Sequence, residues 1–163
     1  MMATVEAMGC RHRLWRRMAV ALCAMLPWCG PVGAHLGGDL AAVEADALQL
    51  QGAVQRTALI AYDVQEITAA AGLTVREYVT RSGTVFAVTW SGPVPPDLAQ
   101  LLGSHFARYL AGFAAQEHPG LKRSLRIATP DLIVESGGHL RAFSGRAYLP
   151  ALLPAGVQVA DLR

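Results

Sequence analysis

The sequence predicts an α+β fold of two layers, and three stretches carry that expectation. Leu73–Trp90, LTVREYVTRSGTVFAVTW, reads as a β-hairpin. From Leu98 onward, apolar residues recur at helical spacing. Asp131–Tyr148 reads as a second hairpin with a Gly-rich centre. Together they predict an antiparallel sheet of about five strands, a meander of three plus a hairpin. One long amphipathic helix covers it, and a shorter helix precedes it. The 163 residues are enough for one domain.

Taken in order, the chain opens with Arg11, Arg13, Arg16 and Arg17, then the apolar run Met18–Leu26, then Pro27, Gly30, Pro31 and Gly33. Basic, apolar and small-residue regions in this order are the pattern of a secretory signal peptide. Residues 1–34 are expected to be that signal, cut after Val32-Gly33-Ala34. The apolar run is shorter than the roughly 20 residues a bilayer span needs. Cys29 follows the bulky Trp28, which fits a lipid-attachment motif badly.

Residues 35–163 are read as one small domain. In 35–56, Asp39 is placed to cap a helix whose stripe is Leu40, Val43, Ala47, Leu50 and Val54. Leu59–Thr68 reads as a strand. In the first arm of the following hairpin, Val75, Glu77 and Val79 share one face and Arg76 and Tyr78 the other. The second arm is apolar on both faces, as a central, covered strand should be. Pro96-Asp97 starts the long helix. Leu98, Leu101, Leu102, His105, Phe106, Tyr109, Leu110 and Phe113 form its stripe, and His118-Pro119-Gly120 ends it. Leu121–Arg126 is a basic loop or the start of an edge strand. Asp131–Glu135 and Leu140–Tyr148 are the arms of the second hairpin, with Ser136–His139 as its turn. Residues 149–163 form an apolar, proline-containing tail expected to lie over the core.

Charge and cysteine usage exclude several functions. Without residues 1–34 the chain carries 10 basic and 11 acidic side chains, so no nucleic-acid partner is expected. All three cysteines, Cys10, Cys23 and Cys29, lie in the signal. The remainder then has no disulfide, thiol nucleophile or thiolate metal site.

The blocks VREYV-x3-G-x-VFAV-x-W (Val75–Trp90), PDL-x2-LLG (Pro96–Gly103) and PDLIVESGGH-x-RAF-x-GRAYLP (Pro130–Pro150) resemble a family of small exported proteins of Burkholderia-like proteobacteria. That family is known as a domain of unknown function. The resemblance implies export but carries over no activity and no catalytic residue.

Two constellations suggest chemistry. Cleavage after Ala34 would make His35 the N-terminus, where amine and imidazole can hold copper with a second histidine such as His105, His118 or His139. Glu135, Ser136 and His139 place a carboxylate, a hydroxyl and an imidazole on one turn with Asp131 nearby, and Glu135, His139 and Arg141 are a candidate polar site. A nucleophile elbow joins a strand to a helix, however, and this turn joins two strands. Its glycines are explained by hairpin geometry. Arg76, Arg141 and Arg146 become a carboxylate-binding patch only if they converge in a concave site. No catalytic residue and no cofactor is assigned. The expectation is a non-catalytic exported binding or assembly module, periplasmic or secreted, whose partner is another exported protein. The alternative is a small exported metalloprotein or hydrolase using His35 or the Glu135–His139 turn.

Overall fold

The computed structural model describes residues 35–39, 50, 52–69, 71–116 and 124–163. The expected signal segment, residues 40–49 of the expected first helix, and His118 lie outside them.

Seven antiparallel strands form one sheet: β1 (Ala53–Ala58), β2 (Tyr62–Thr68), β3 (Thr74–Thr80), β4 (Val85–Gly92), β5 (Ser124–Ala128), β6 (Ile133–His139) and β7 (Ala142–Tyr148). Their spatial order is β1-β2-β3-β4-β7-β6-β5. The fold is therefore mostly sheet, and the expected five strands are corrected to seven. β4 is the middle strand, with Val85–Trp90 buried throughout. A bulge at Tyr78/Val79 sets both Phe86 and Ala87 against Tyr78.

The expected N-terminal helix is corrected as well. Its last residues, Ala53 and Val54, begin an edge strand, and all six residues of β1 are exposed. The reading failed because an exposed edge strand carries no apolar face. Val54 therefore fell in with the helical spacing of the residues before it. The long helix is present but broken. α1 (Leu98–Leu102) passes through the 3-10 turn Gly103–His105 into α2 (Phe106–Ala114). Asp97 caps α1, its Oδ1 accepting from the amides of Ala99 at 2.9 Å and Gln100 at 3.2 Å.

Leu101, Leu102, Phe106 and Tyr109 pack on one face of the sheet, over Val75, Val88, Trp90, Val134 and Ala147. Leu36 completes this core. It is fully buried, and its segment pairs with the start of β4 through Gly37 N–H to Val85 O at 2.8 Å and Val85 N–H to Gly38 O at 2.9 Å.

The tail crosses the other face. Leu153, Val157, Val159 and Leu162 pack against Tyr62, Tyr78, Phe86, Ala87 and Tyr148. Pro150–Leu152 and Val159–Asp161 form single 3-10 turns there. The Tyr78 hydroxyl ties the tail down, donating to Arg163 O at 2.7 Å and accepting from Arg163 N–H at 2.9 Å. The tail covers only part of this outer face, and the uncovered part is the site described next.

Candidate functional site: a polar groove on the outer face

Strand register builds the site. One cross-strand row on the outer face runs Glu66, Arg76, Thr89, Arg146, Glu135 and Arg126, over β2, β3, β4, β7, β6 and β5. Two residues along each strand, about 6.7 Å away, lies a second row: Thr68, Thr74, Ser91, Ser144, Gly137 and Ser124. The first row is charged and the second is made of hydroxyls, with one gap at Gly137.

These rows floor a groove of about 680 Å³. Arg76, Arg126, Arg146 and Arg163 line it with Glu135, and Ser91, Ser124 and Ser144 supply the hydroxyls. Leu162 and Arg163 of the tail form one wall, and Gln116, beyond α2, reaches the far end. The Gln116 amide donates to Arg126 O at 2.9 Å.

The four arginines are not equivalent. Arg146 is saturated: Nε and Nη2 each lie 2.7 Å from Glu135 Oε2, and Nη1 donates to Val159 O at 2.8 Å. It fixes the floor and holds the tail. Arg76 donates through Nε to Glu66 at 2.5 Å and through Nη1 to Arg163 O at 2.9 Å. Arg126 meets Glu135 through Nε alone, at 3.2 Å, and its side chain is 66% exposed. Arg163 is bound only through Nε, to Ala160 O at 3.2 Å. Among the described residues nothing else engages the terminal nitrogens of Arg126 and Arg163, or the hydroxyls of the exposed Ser91, Ser124 and Ser144. Arg76 is offset by Glu66 and Arg146 by Glu135, so the positive charge of Arg126 and Arg163 is what makes the lining favourable to anions.

The residues singled out in the sequence are dispersed. Glu135 lies in the groove, committed to Arg146 and Arg126. His139 and Arg141 lie at the exposed tip of the β6–β7 hairpin, four or more residues along the strand, about 13 Å from Glu135. The turn is Leu140-Arg141, with Arg141 at φ 65°, and Ser136–His139 belongs to β6. Arg76 and Arg146 do converge in a concave site, whereas Arg141 does not. Glu77 goes the opposite way from Arg76 and is wholly buried on the covered face, opposite Gln65 and Val88.

His35 packs against Gly103, and His105 stands beside Arg108, Asp131 and His35. Burial first, and then the Arg108 guanidinium, push the His105 imidazole below its ordinary value. Among the described residues no group of three or more His, Cys, Asp or Glu side chains is placed to hold a metal.

The sequence pointed to the arginines but missed Arg126, Ser91, Ser124 and Ser144 as one site. Only the register brings them together, and the alternation of polar residues in β5 and β7 was the one signal available. No helix among the described residues is long and apolar enough to cross a membrane. No curated protein and no solved structure matches the chain. A model of the family described as "Protein of unknown function (DUF2844)" matches residues 32–162, and the chain belongs to that family.

Proposed function

We propose that this protein is an exported, non-catalytic binding module of a Burkholderia-like proteobacterium, and that the outer-face groove is its ligand site. The signal-like order of residues 1–34 supports export to the periplasm or beyond. The observation that carries the binding reading is the pair of in-register rows, charged and hydroxyl, left open beside the tail. A packed sheet face would be apolar there, whereas this one gathers Arg76, Arg126, Arg146 and Arg163 with Glu66 and Glu135 along one concavity. The groove offers hydrogen-bond donors and positive charge. It contains no nucleophile beside a base, so recognition is the chemistry it supports.

The test is amide chemical-shift mapping of the labelled domain against citrate, a small polycarboxylate, with fractionation of the expressing cells to locate the protein. Saturable shifts clustered at Arg76, Thr89, Ser91, Ser144, Glu135 and Arg126 are expected, with the protein recovered from the periplasm or medium. Shifts scattered over the surface, or retention in the cytoplasm, overturn the reading.

One observation favours a second reading, a small exported copper protein: His105 neighbours His35. Arg108, whose Nη1 lies 3.3 Å from His105 Nδ1, opposes a cation there and makes this reading the weaker. Intact-mass analysis of the exported chain followed by copper titration decides it. An N-terminus other than His35 ends it.

A further inference from the structure

We propose that the groove takes an extended acidic oligosaccharide, a chain of sugars bearing carboxylates, laid across the strands. One carboxylate sits at Arg126 and another at the Arg76–Arg163 end. The inference rests on the groove being the ligand site and adds the chemistry of the ligand.

The open cations set the length. Arg146 has every nitrogen engaged or facing Glu135 and the tail. Among the described residues, the terminal nitrogens left over belong to Arg126, on β5, and to Arg163 and Arg76 at the β3 end, where Arg76 Nη1 donates to Arg163 O. β3 and β5 are four strand spacings apart in the sheet order, about 19 Å. A small monoanion touches one pole only. A chain of several units with repeated negative charge touches both.

The middle of the groove sets the chemistry. Between the poles the ligand runs along Ser91, Ser144 and Ser124, spaced by strand separation, with Gly137 opening a notch in the row. Each serine hydroxyl donates and accepts, as does each sugar hydroxyl, so the two match without regard to direction. A peptide is served less well. The backbone groups of β4, β7 and β6 in the groove are spent on the ladder, so a peptide lying over these inner strands cannot add to them as a strand. Its residues would meet hydroxyls about 4.8 Å apart at Ser91 and Ser144 and about 9.6 Å apart from Ser144 to Ser124, not the roughly 6.7 Å that separates like-facing residues of an extended chain.

The groove also lacks an open aromatic face. Trp90 is 4% exposed, its ring lying against Gly145. Neutral sugars commonly gain affinity by stacking on such a face. Here charge must supply the attraction, which makes binding steeply dependent on salt.

The experiment titrates the labelled protein with three probes of four units each: tetragalacturonate, the neutral maltotetraose, and tetraglutamate. Tetragalacturonate is expected to shift the amides of Ser91, Gly137, Ser144 and Ser124, to bind at least about tenfold more tightly than the other two, and to weaken as sodium chloride is raised. Arg126→Ala and Arg163→Ala, both at exposed side chains, should each weaken it about tenfold, the loss of one charge-assisted pair. Maltotetraose binding as tightly would overturn the role of charge. Tetraglutamate binding more tightly in the same groove would overturn the saccharide assignment while leaving the site. If citrate maps to the groove and tetragalacturonate does not, this inference alone fails; if neither does, the binding module fails with it.

Discussion

Two neighbouring cross-strand rows, one residue apart, present opposite chemistries. Gln65, Glu77, Val88, Ala147, Val134 and Ile127 form the row on the covered face. All are buried, and Val88, Ala147 and Val134 are 0% exposed. The adjoining row is Glu66, Arg76, Thr89, Arg146, Glu135 and Arg126, in the groove. The same strands, with the same backbone bonds, supply both. Because side chains alternate, sliding any strand by one residue would exchange the rows. At β7 that would carry Arg146 into the core and Ala147 into the groove. The charged row therefore also guards the register of the sheet, whatever ligand it holds.

The largest expected effect comes from giving the covered row the chemistry of the other. Val88→Asp puts an ionised carboxylate beside Glu77 in the core, and should cost more than about 4 kcal/mol, enough to unfold a domain of ordinary stability. Thr89→Asp, one residue on, places the same charge between Arg76 and Arg146 and should leave a cooperative unfolding transition. Circular dichroism and urea titration of the two variants check this. A soluble, cooperatively folding Val88→Asp would show that β4 is not central.

How much of this was legible follows from which residues carry a one-strand signal. The β3–β4 hairpin showed itself in the alternation of Val75, Glu77 and Val79, and in the apolar run that fills β4. The helix start at Pro96-Asp97 also showed, because a cap is a local chemical event. β1 was missed because none of its residues is buried. Ser136–His139 was read as a turn because Gly-Gly is a turn signal. In the fold these residues extend β6, and the reversal falls to Leu140-Arg141, with a non-glycine residue at positive φ. Of the groove, only Arg76, Glu135 and Arg146 stood out in the sequence, and not as one site. Arg126, Glu135, Arg146 and Arg76 meet only through the pairing of five separate strands, with Thr89 of β4 between Arg76 and Arg146.

The second effect sharpens the comparison at the one place where both faces share a residue's space. A side chain on Gly145 would strike the Trp90 ring on the covered face and come within 2.6 Å of Glu135 O. Gly145→Val should cost about 1–3 kcal/mol by forcing the ring aside, read as a lower urea midpoint with a shifted tryptophan emission maximum. Unchanged emission would mean that the ring does not rest on Gly145.

Acidification should loosen the helix-covered side. His105, at the junction of α1 and α2, has a folded-state pKa below 6.5, first from burial, then from Arg108. Near and below pH 6.5 the unfolded chain takes up a proton that the folded chain refuses. The stability linked to this group is therefore complete above pH 6.5. It falls as pH drops from there to the folded-state value, below which it falls no further. Urea midpoints measured from pH 8 to pH 5 should show the decline, and His105→Gln should flatten it. A slope that survives in His105→Gln would assign the effect to another group.

The smallest expected effect is the one that separates binding from folding. Ser144 and Ala147 lie on the same strand and face opposite ways. Ala147→Ser buries a hydroxyl in the core, at about 1–3 kcal/mol. Ser144→Ala removes an exposed hydroxyl that bonds nothing else among the described residues, and should change stability by less than about 0.5 kcal/mol. If the outer row exists only to keep the register, Ser144→Ala should be silent in every measurement, since the register is held by the arginines and glutamates. If the row is a binding surface, the same variant should keep its urea midpoint and lose affinity for the acidic tetrasaccharide. A loss of stability with no loss of affinity would place Ser144 in the packing of the fold and remove the hydroxyl row from the site.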